Sequence, residues 1–128
     1  MLIKIPVSTG ELVDKITILE IKKIKVDDKL KLADIEKEHK YLKDILIKKI
    51  KLDPYLKSKI TALKKINLKL WDIEDGKRKA ERNKTFGKSF ILLARNVYIY
   101  NDKRAQIKLI INKLTNSKIV EVKSYKSY

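Results

Sequence analysis

Residues 29–82, KLKLADIEKEHKYLKDILIKKIKLDPYLKSKITALKKINLKLWDIEDGKRKAER, decide the fold. Before Asp53, the side chains of Leu32, Ile35, His39, Leu42, Leu46 and Ile50 recur at three- and four-residue spacing. After Pro54, Leu56, Ile60, Leu63, Ile66, Leu70 and Ile73 do the same. A helix turns about 100° per residue, so this spacing gives each segment one apolar stripe, as in a bundle or coiled coil. Asp53-Pro54 divides the two: aspartate suits the N-cap, and proline suits the first helical position, where no N–H is needed. The stretch therefore reads as two helices, the second ending near Arg82, and as the clearest helical hairpin in the chain.

Outward from this pair, Ser8 and Glu11 have capping-box spacing at the head of GELVDKITILEIKKIKV, which predicts a helix to about Lys25. Apolar side chains lie around most of its circumference, so this first helix should be central. Asp27 and Asp28 cap the next. Beyond Asn83 to Ser89, which contains Gly87, a fourth helix is expected from about Ser89 to Leu114, ended by Thr115-Asn116-Ser117. The β-branched, alternating segments 2–7 (LIKIPV) and 118–123 (KIVEVK) predict two short strands that pair. The expected fold is mainly all-α: a single domain over residues 1–128, a four-helix antiparallel bundle with a two-strand element from its terminal segments.

The chain has 128 residues, 44% hydrophobic and 38% charged, without cysteine and with a formal charge of +16. Disulfides, cysteine-held zinc and thiol nucleophiles are thereby excluded. No apolar run is long enough to span a membrane, and MLIKIPVSTG lacks the pattern of a signal peptide, so a cytoplasmic protein is expected. The charge comes from 28 lysines against 4 arginines, spread from Lys4 to Lys126. Base readers favour arginine, so the excess fits a solvated surface set by composition, with a basic patch for nucleic acid as the alternative.

Charged residues inside apolar stripes carry more information, because an unpaired buried charge costs several kcal/mol. Asp14 and Glu20 project among isoleucines of the first helix, whereas Glu11 and Lys15 read as a surface i,i+4 pair. On the third helix, Asn67, Trp71, Glu74 and Arg78 share one stripe, with Asp75 beside it. An indole, two carboxylates and a guanidinium on one patch suit a polar ligand, although a Glu74–Arg78 pair and a core tryptophan would explain part of it. On the fourth helix Arg104 falls within the apolar stripe, flanked by Asn101 and Lys108, and requires a carboxylate. Asp14, Glu20, Glu74 and Asp75 are the available partners, so a polar network should bridge the first, third and fourth helices. His39 has no ligand at metal-binding spacing and reads as a core histidine.

The phosphate-binding GxxxxGK[ST] and GxGxxG loops, the GxSxG elbow and the HExxH metal motif are absent. Glu11 and Asp14 have ExxD spacing, one half of the magnesium-binding pattern of all-α nucleotide pyrophosphohydrolases. Asp72 and Asp75 are only a loose substitute for the other half. No metal set and no cofactor is assigned.

GELVDKITILEIKK, LWDIEDGKR, NDKRAQIKLIIN and SKIVEVKSY together resemble an uncharacterised family of small helical proteins from marine bacteria and their phages. A second uncharacterised helical family is similar over the middle of the chain. The resemblance rests on Glu11, Asp14, Lys15, Asn67, Trp71, Glu74, Asp75, Arg78, Asn101, Asp102, Arg104 and Lys108, and implies a setting beside surface-polysaccharide assembly. Asp14, Asn67, Trp71, Glu74, Asp75, Arg78, Asn101, Asp102, Arg104 and Lys108 are the candidate ligand-binding residues, with no residue assigned to catalysis. The leading expectation is a polar inter-helix site for a small anionic or sugar-like ligand, linked to glycan or nucleotide-sugar metabolism. The alternatives are a nucleic-acid-binding module and a helical adaptor or homo-oligomer.

Overall fold

The computed structural model describes residues 1–128, which form four helices: α1 (Thr9–Lys25), α2 (Lys29–Lys49), α3 (Pro54–Asn83) and α4 (Lys88–Leu114). Local chemistry sets their ends. Ser8 Oγ accepts the Glu11 N–H at 3.1 Å, Asp28 accepts those of Leu30 and Lys31, and Asp53 accepts that of Leu56, each satisfying N–H groups that have no partner in the first turn. Lys84 ends α3 in the left-handed conformation, with φ 53°, and the Thr85 N–H reaches back to the Ala80 carbonyl.

Helix α1 is central, packing on all three others, while α3 and α4 run along one another as a long antiparallel pair. Val13, Ile16, Leu46, Leu56, Leu63 and Ile111 form the buried core, drawing side chains from every helix. The expected hairpin of the second and third helices is not the one that forms. The backbone of α2 approaches α1 alone, and α2 reaches α3 only through side chains such as Leu46. An apolar stripe says which face is buried, not against which neighbour, and a first helix apolar on several sides takes up both stripes.

The two-strand element is also absent. Segments 2–7 and 118–123 leave the same end of the bundle, where Ser117 Oγ accepts the Thr9 N–H, but exchange no backbone hydrogen bonds. The C-terminal segment instead turns back along α4, placing Glu121 on Lys108 and the Tyr128 ring against Tyr98. An isolated strand pair buries too little to hold itself together, and both segments remain exposed.

Gly10 fixes how closely α1 approaches α4. Its N–H donates to the buried Asn112 Oδ1 at 2.7 Å, and a Cβ at this position would stand 2.7 Å from the Lys108 carbonyl oxygen. This contact seats Asp14, one turn further along α1, against the polar side of α4.

Candidate functional site

Asp14 is 1% exposed and is the centre of an inter-helix network. Arg104 Nε donates to Oδ1 at 3.0 Å and Nη2 donates to Oδ2, a two-pronged grip on the carboxylate. From α3, Asn67 Nδ2 donates to Asp14 Oδ1 at 2.8 Å and to Thr17 Oγ1 at 2.9 Å, while the Thr17 hydroxyl donates to the Asp14 carbonyl. Lys108 Nζ stands 3.7 Å from Asp14 and donates to Glu11 at 2.8 Å and Glu121 at 3.0 Å. No buried side-chain polar atom lacks a partner.

The electrostatics follow from this geometry. Burial alone would push the Asp14 carboxyl up, but hydrogen bonds from Arg104 and Asn67 and the charges of Arg104 and Lys108 outweigh it, holding the group below the usual carboxylate value. The bonds to Asp14 raise the Arg104 guanidinium above its usual value against the opposing effect of burial. Burial works to lower Lys108, yet Glu11, Glu121 and Asp14 raise it.

On the outer side of Arg104, α3 and α4 part around a cleft of about 440 Å³. Ile18, Leu70 and Val97 give it an apolar lining beside Trp71, and Asn67, Glu74, Asp75, Arg78, Asn101 and Arg104 are its polar groups. Two of these are less engaged than the sequence implied. Glu74 pairs with Lys77 at 3.1 Å instead of with Arg78, and Arg78 has no carboxylate within ion-pair distance. Arg104 remains 28% exposed, and its only bond from Nη1 is a long one of 3.5 Å to Asn101, so donors remain available toward the cleft. Apolar walls with a few convergent polar groups are the usual form of a small-molecule site.

Of the ten candidate residues, Asn67, Trp71, Glu74, Asp75, Arg78, Asn101 and Arg104 line this cleft, and Asp14 lies behind it holding Arg104. Lys108 lies in an adjoining recess with Glu11, Glu121 and Lys123. Asp102 lines the groove beneath the C-terminal segment, near Tyr128, whose phenol it raises. Glu74 and Asp75 do not join the Asp14 network. Glu11 pairs with Lys108, not with Lys15.

Glu20 holds α2 and α3 to α1, at 3.0 Å from His39 Nε2 and 3.2 Å from Lys64. Burial opposes its ionisation, but these two partners hold its carboxyl below the usual value. The His39 side chain, 15% exposed, thus ties α2 to α1. Thr17 and Asn112 belong to the polar interior, and the exposed Glu121 closes over it by pairing with Lys108, although none of the three stood out in the sequence. Thr17 follows Asp14 by three residues on the same face, a signal present in the sequence, whereas Asn112 and Glu121 depend on tertiary contact. No three of His, Cys, Asp and Glu gather where they could share a metal ion.

No curated protein and no solved structure matches the chain. A family model does match, over residues 3–128, so the chain belongs to the family of unknown function DUF6165.

Proposed function

We propose that the protein binds a small anionic, hydroxyl-bearing ligand of the nucleotide-sugar type in the α3–α4 cleft. A planar or sugar ring lies on Trp71, the negative group meets Arg78 and the outer edge of Arg104, and hydroxyls hydrogen-bond to Glu74, Asp75 and Asn101. The observation that carries this reading is Arg78: a guanidinium with no carboxylate partner, in one cleft with the chain's single tryptophan and two carboxylates. Arginine presents planar, paired donors that suit phosphate and carboxylate, and aromatic faces suit rings. A role near surface-glycan or nucleotide-sugar metabolism fits that ligand class. With only Glu74 and Asp75 as carboxylates in the cleft, a metal-dependent phosphohydrolase is disfavoured, since magnesium takes oxygen ligands in near-octahedral geometry.

Thermal melts with uridine diphosphate sugars, uridine diphosphate and the free sugars test the reading. A ligand that binds only the folded state raises the melting temperature with concentration. The expected result is a rise with the nucleotide sugar that Arg78→Ala removes. Absence of a rise with every one of these compounds contradicts it.

Binding of nucleic acid by the lysines is the second reading. Between Ile45 and Trp71 there are eight lysines and one acid, Asp53, which is used as a helix cap. It requires an electrophoretic shift whose affinity falls steeply between low and moderate salt.

A further inference from the structure

Beyond the cleft, α3 and α4 continue as a two-helix arm past Asp72, which Lys25 at the end of α1 reaches, and the turn Lys84–Gly87 closes the arm. Its composition is basic, with apolar side chains among the charges. From Lys77 to Arg95 there are seven lysines and arginines and one acid, Glu81. Lys77 and Lys84 are paired with Glu74 and Glu81, and Arg78 faces the cleft, leaving Lys79, Arg82, Lys88 and Arg95 on the arm without a carboxylate in ion-pair range. Among these charges stand large apolar side chains open to solvent: Phe86 is 49% exposed, Ile91 54% and Leu92 57%.

The pattern is organised. At about 100° per residue, Lys88, Ile91, Leu92 and Arg95 fall on one outward face of α4, spanning roughly a third of its circumference. Phe86 is at the tip, where its ring meets Phe90 edge to face at 5.3 Å and nothing packs over the neighbouring Gly87. Exposed aromatic and aliphatic side chains beside unpaired cations suit the boundary between anionic headgroups and acyl chains.

We propose that the tip of the α3–α4 arm docks on an anionic bilayer surface, with Phe86, Ile91 and Leu92 entering the interface and Lys79, Arg82, Lys88 and Arg95 meeting the headgroups. The contact is peripheral, because no helix of the protein is long and apolar enough to cross a membrane. Charge selects this occupant over a second copy of the chain, which would bring the same positive charges against it. The aliphatic pair Ile91 and Leu92 selects it over nucleic acid, which would engage the cations but gains little from exposed aliphatic groups. A lipid surface is the partner that rewards both.

Co-sedimentation with vesicles of equal parts phosphatidylglycerol and phosphatidylcholine tests the proposal, with pure phosphatidylcholine as comparison. A chain of charge +16 adheres to anionic vesicles to some extent by charge alone, so the deciding variant keeps every charge: Phe86→Ser with Ile91→Ser and Leu92→Ser. A second triple variant, Leu2→Ser with Ile3→Ser and Ile5→Ser, removes exposed apolar groups from the opposite end of the molecule. The proposal expects wild type to bind the mixed vesicles, the tip variant to lose about tenfold or more in partitioning, and the N-terminal variant to bind as wild type does. Should the tip variant fail to fold, Lys88→Glu with Arg95→Glu decides instead, and undiminished binding overturns the proposal. Equal binding by the tip variant and wild type overturns it. So do binding to phosphatidylcholine alone that matches the mixed vesicles, and light scattering that shows a dimer turned into a monomer by the tip substitutions.

Discussion

Arg104 closes two hydrogen bonds on the carboxylate of Asp14, a residue 90 positions earlier in the chain. The pair joins α4 to α1 and leaves the outer edge of the guanidinium facing the cleft, so one residue ties the bundle together and also lines the candidate site. Removing either partner should therefore be informative in a different way.

Arg104→Ala strands a carboxylate that is 1% exposed, and should lower stability by about 3–5 kcal/mol in urea denaturation. Arg104→Met fills the space without charge. Combined with Asp14→Asn, it should recover most of that loss, because the buried charge is removed along with its partner. If the double variant is as unstable as Arg104→Ala, the pair is not the source of the effect.

Acid should weaken the bundle through Asp14 and Glu20, whose carboxyls both titrate below their ordinary values in the folded protein. A depressed carboxyl contributes stability that is complete above its unfolded value, about 4, and is lost as pH falls through the lower folded value. The urea midpoint should drop as pH falls below about 4, and Asp14→Asn, less stable at neutral pH, should show a shallower acid limb. Lys108 acts in the opposite direction. Its value is raised, so its contribution is complete below about 10.4 and is lost only as pH climbs through the folded value above that.

The glycines separate close backbone approach from simple helix propensity. Alanine is favoured over glycine inside a helix by about 1 kcal/mol. At Gly10 that gain should be overwhelmed, because the new methyl meets the Lys108 carbonyl oxygen at 2.7 Å and Asn112 Oδ1 at 3.0 Å. At Gly76 the nearest atoms are Leu93 side-chain carbons at 3.2 Å, which can move. Gly10→Ala should therefore lower the melting temperature, and Gly76→Ala should leave it unchanged or raise it. The reverse order would show that α1 does not dock through Gly10.

Local chemistry made much of this fold legible. The caps at Ser8, Asp28 and Asp53 form because an oxygen sits next to the N–H groups it must satisfy, and each helix boundary follows from its neighbours in sequence. The grouping of Asn67, Trp71, Glu74 and Arg78 was readable for the same reason, since one helix turn brings them together. Arg104 stood out because a charge in an apolar stripe must be paired. The choice of neighbouring helix was not readable: the stripe of α2 is equally compatible with α1 and α3. The alternation in IKIPV and KIVEV suits a strand but names no partner, and the C-terminal segment found α4 through Lys108 and Tyr98 instead. Gly10 and Asn112 meet across 102 positions, a contact that neither residue type announces.

The cleft beside Arg104 is proposed to hold a small anionic, hydroxyl-bearing ligand, and the protein carries its own probe of it. Trp71 is the single tryptophan and lines that cleft, so its fluorescence reports occupancy directly. Titration with a uridine diphosphate sugar should change Trp71 emission along a saturable curve. Arg78→Ala, at an exposed position with no ion pair to break, should weaken that curve by about tenfold or more while the melting temperature of the free protein stays the same. Unchanged emission across uridine diphosphate sugars, uridine diphosphate and free sugars, or a saturable change that Arg78→Ala leaves intact, would contradict the account.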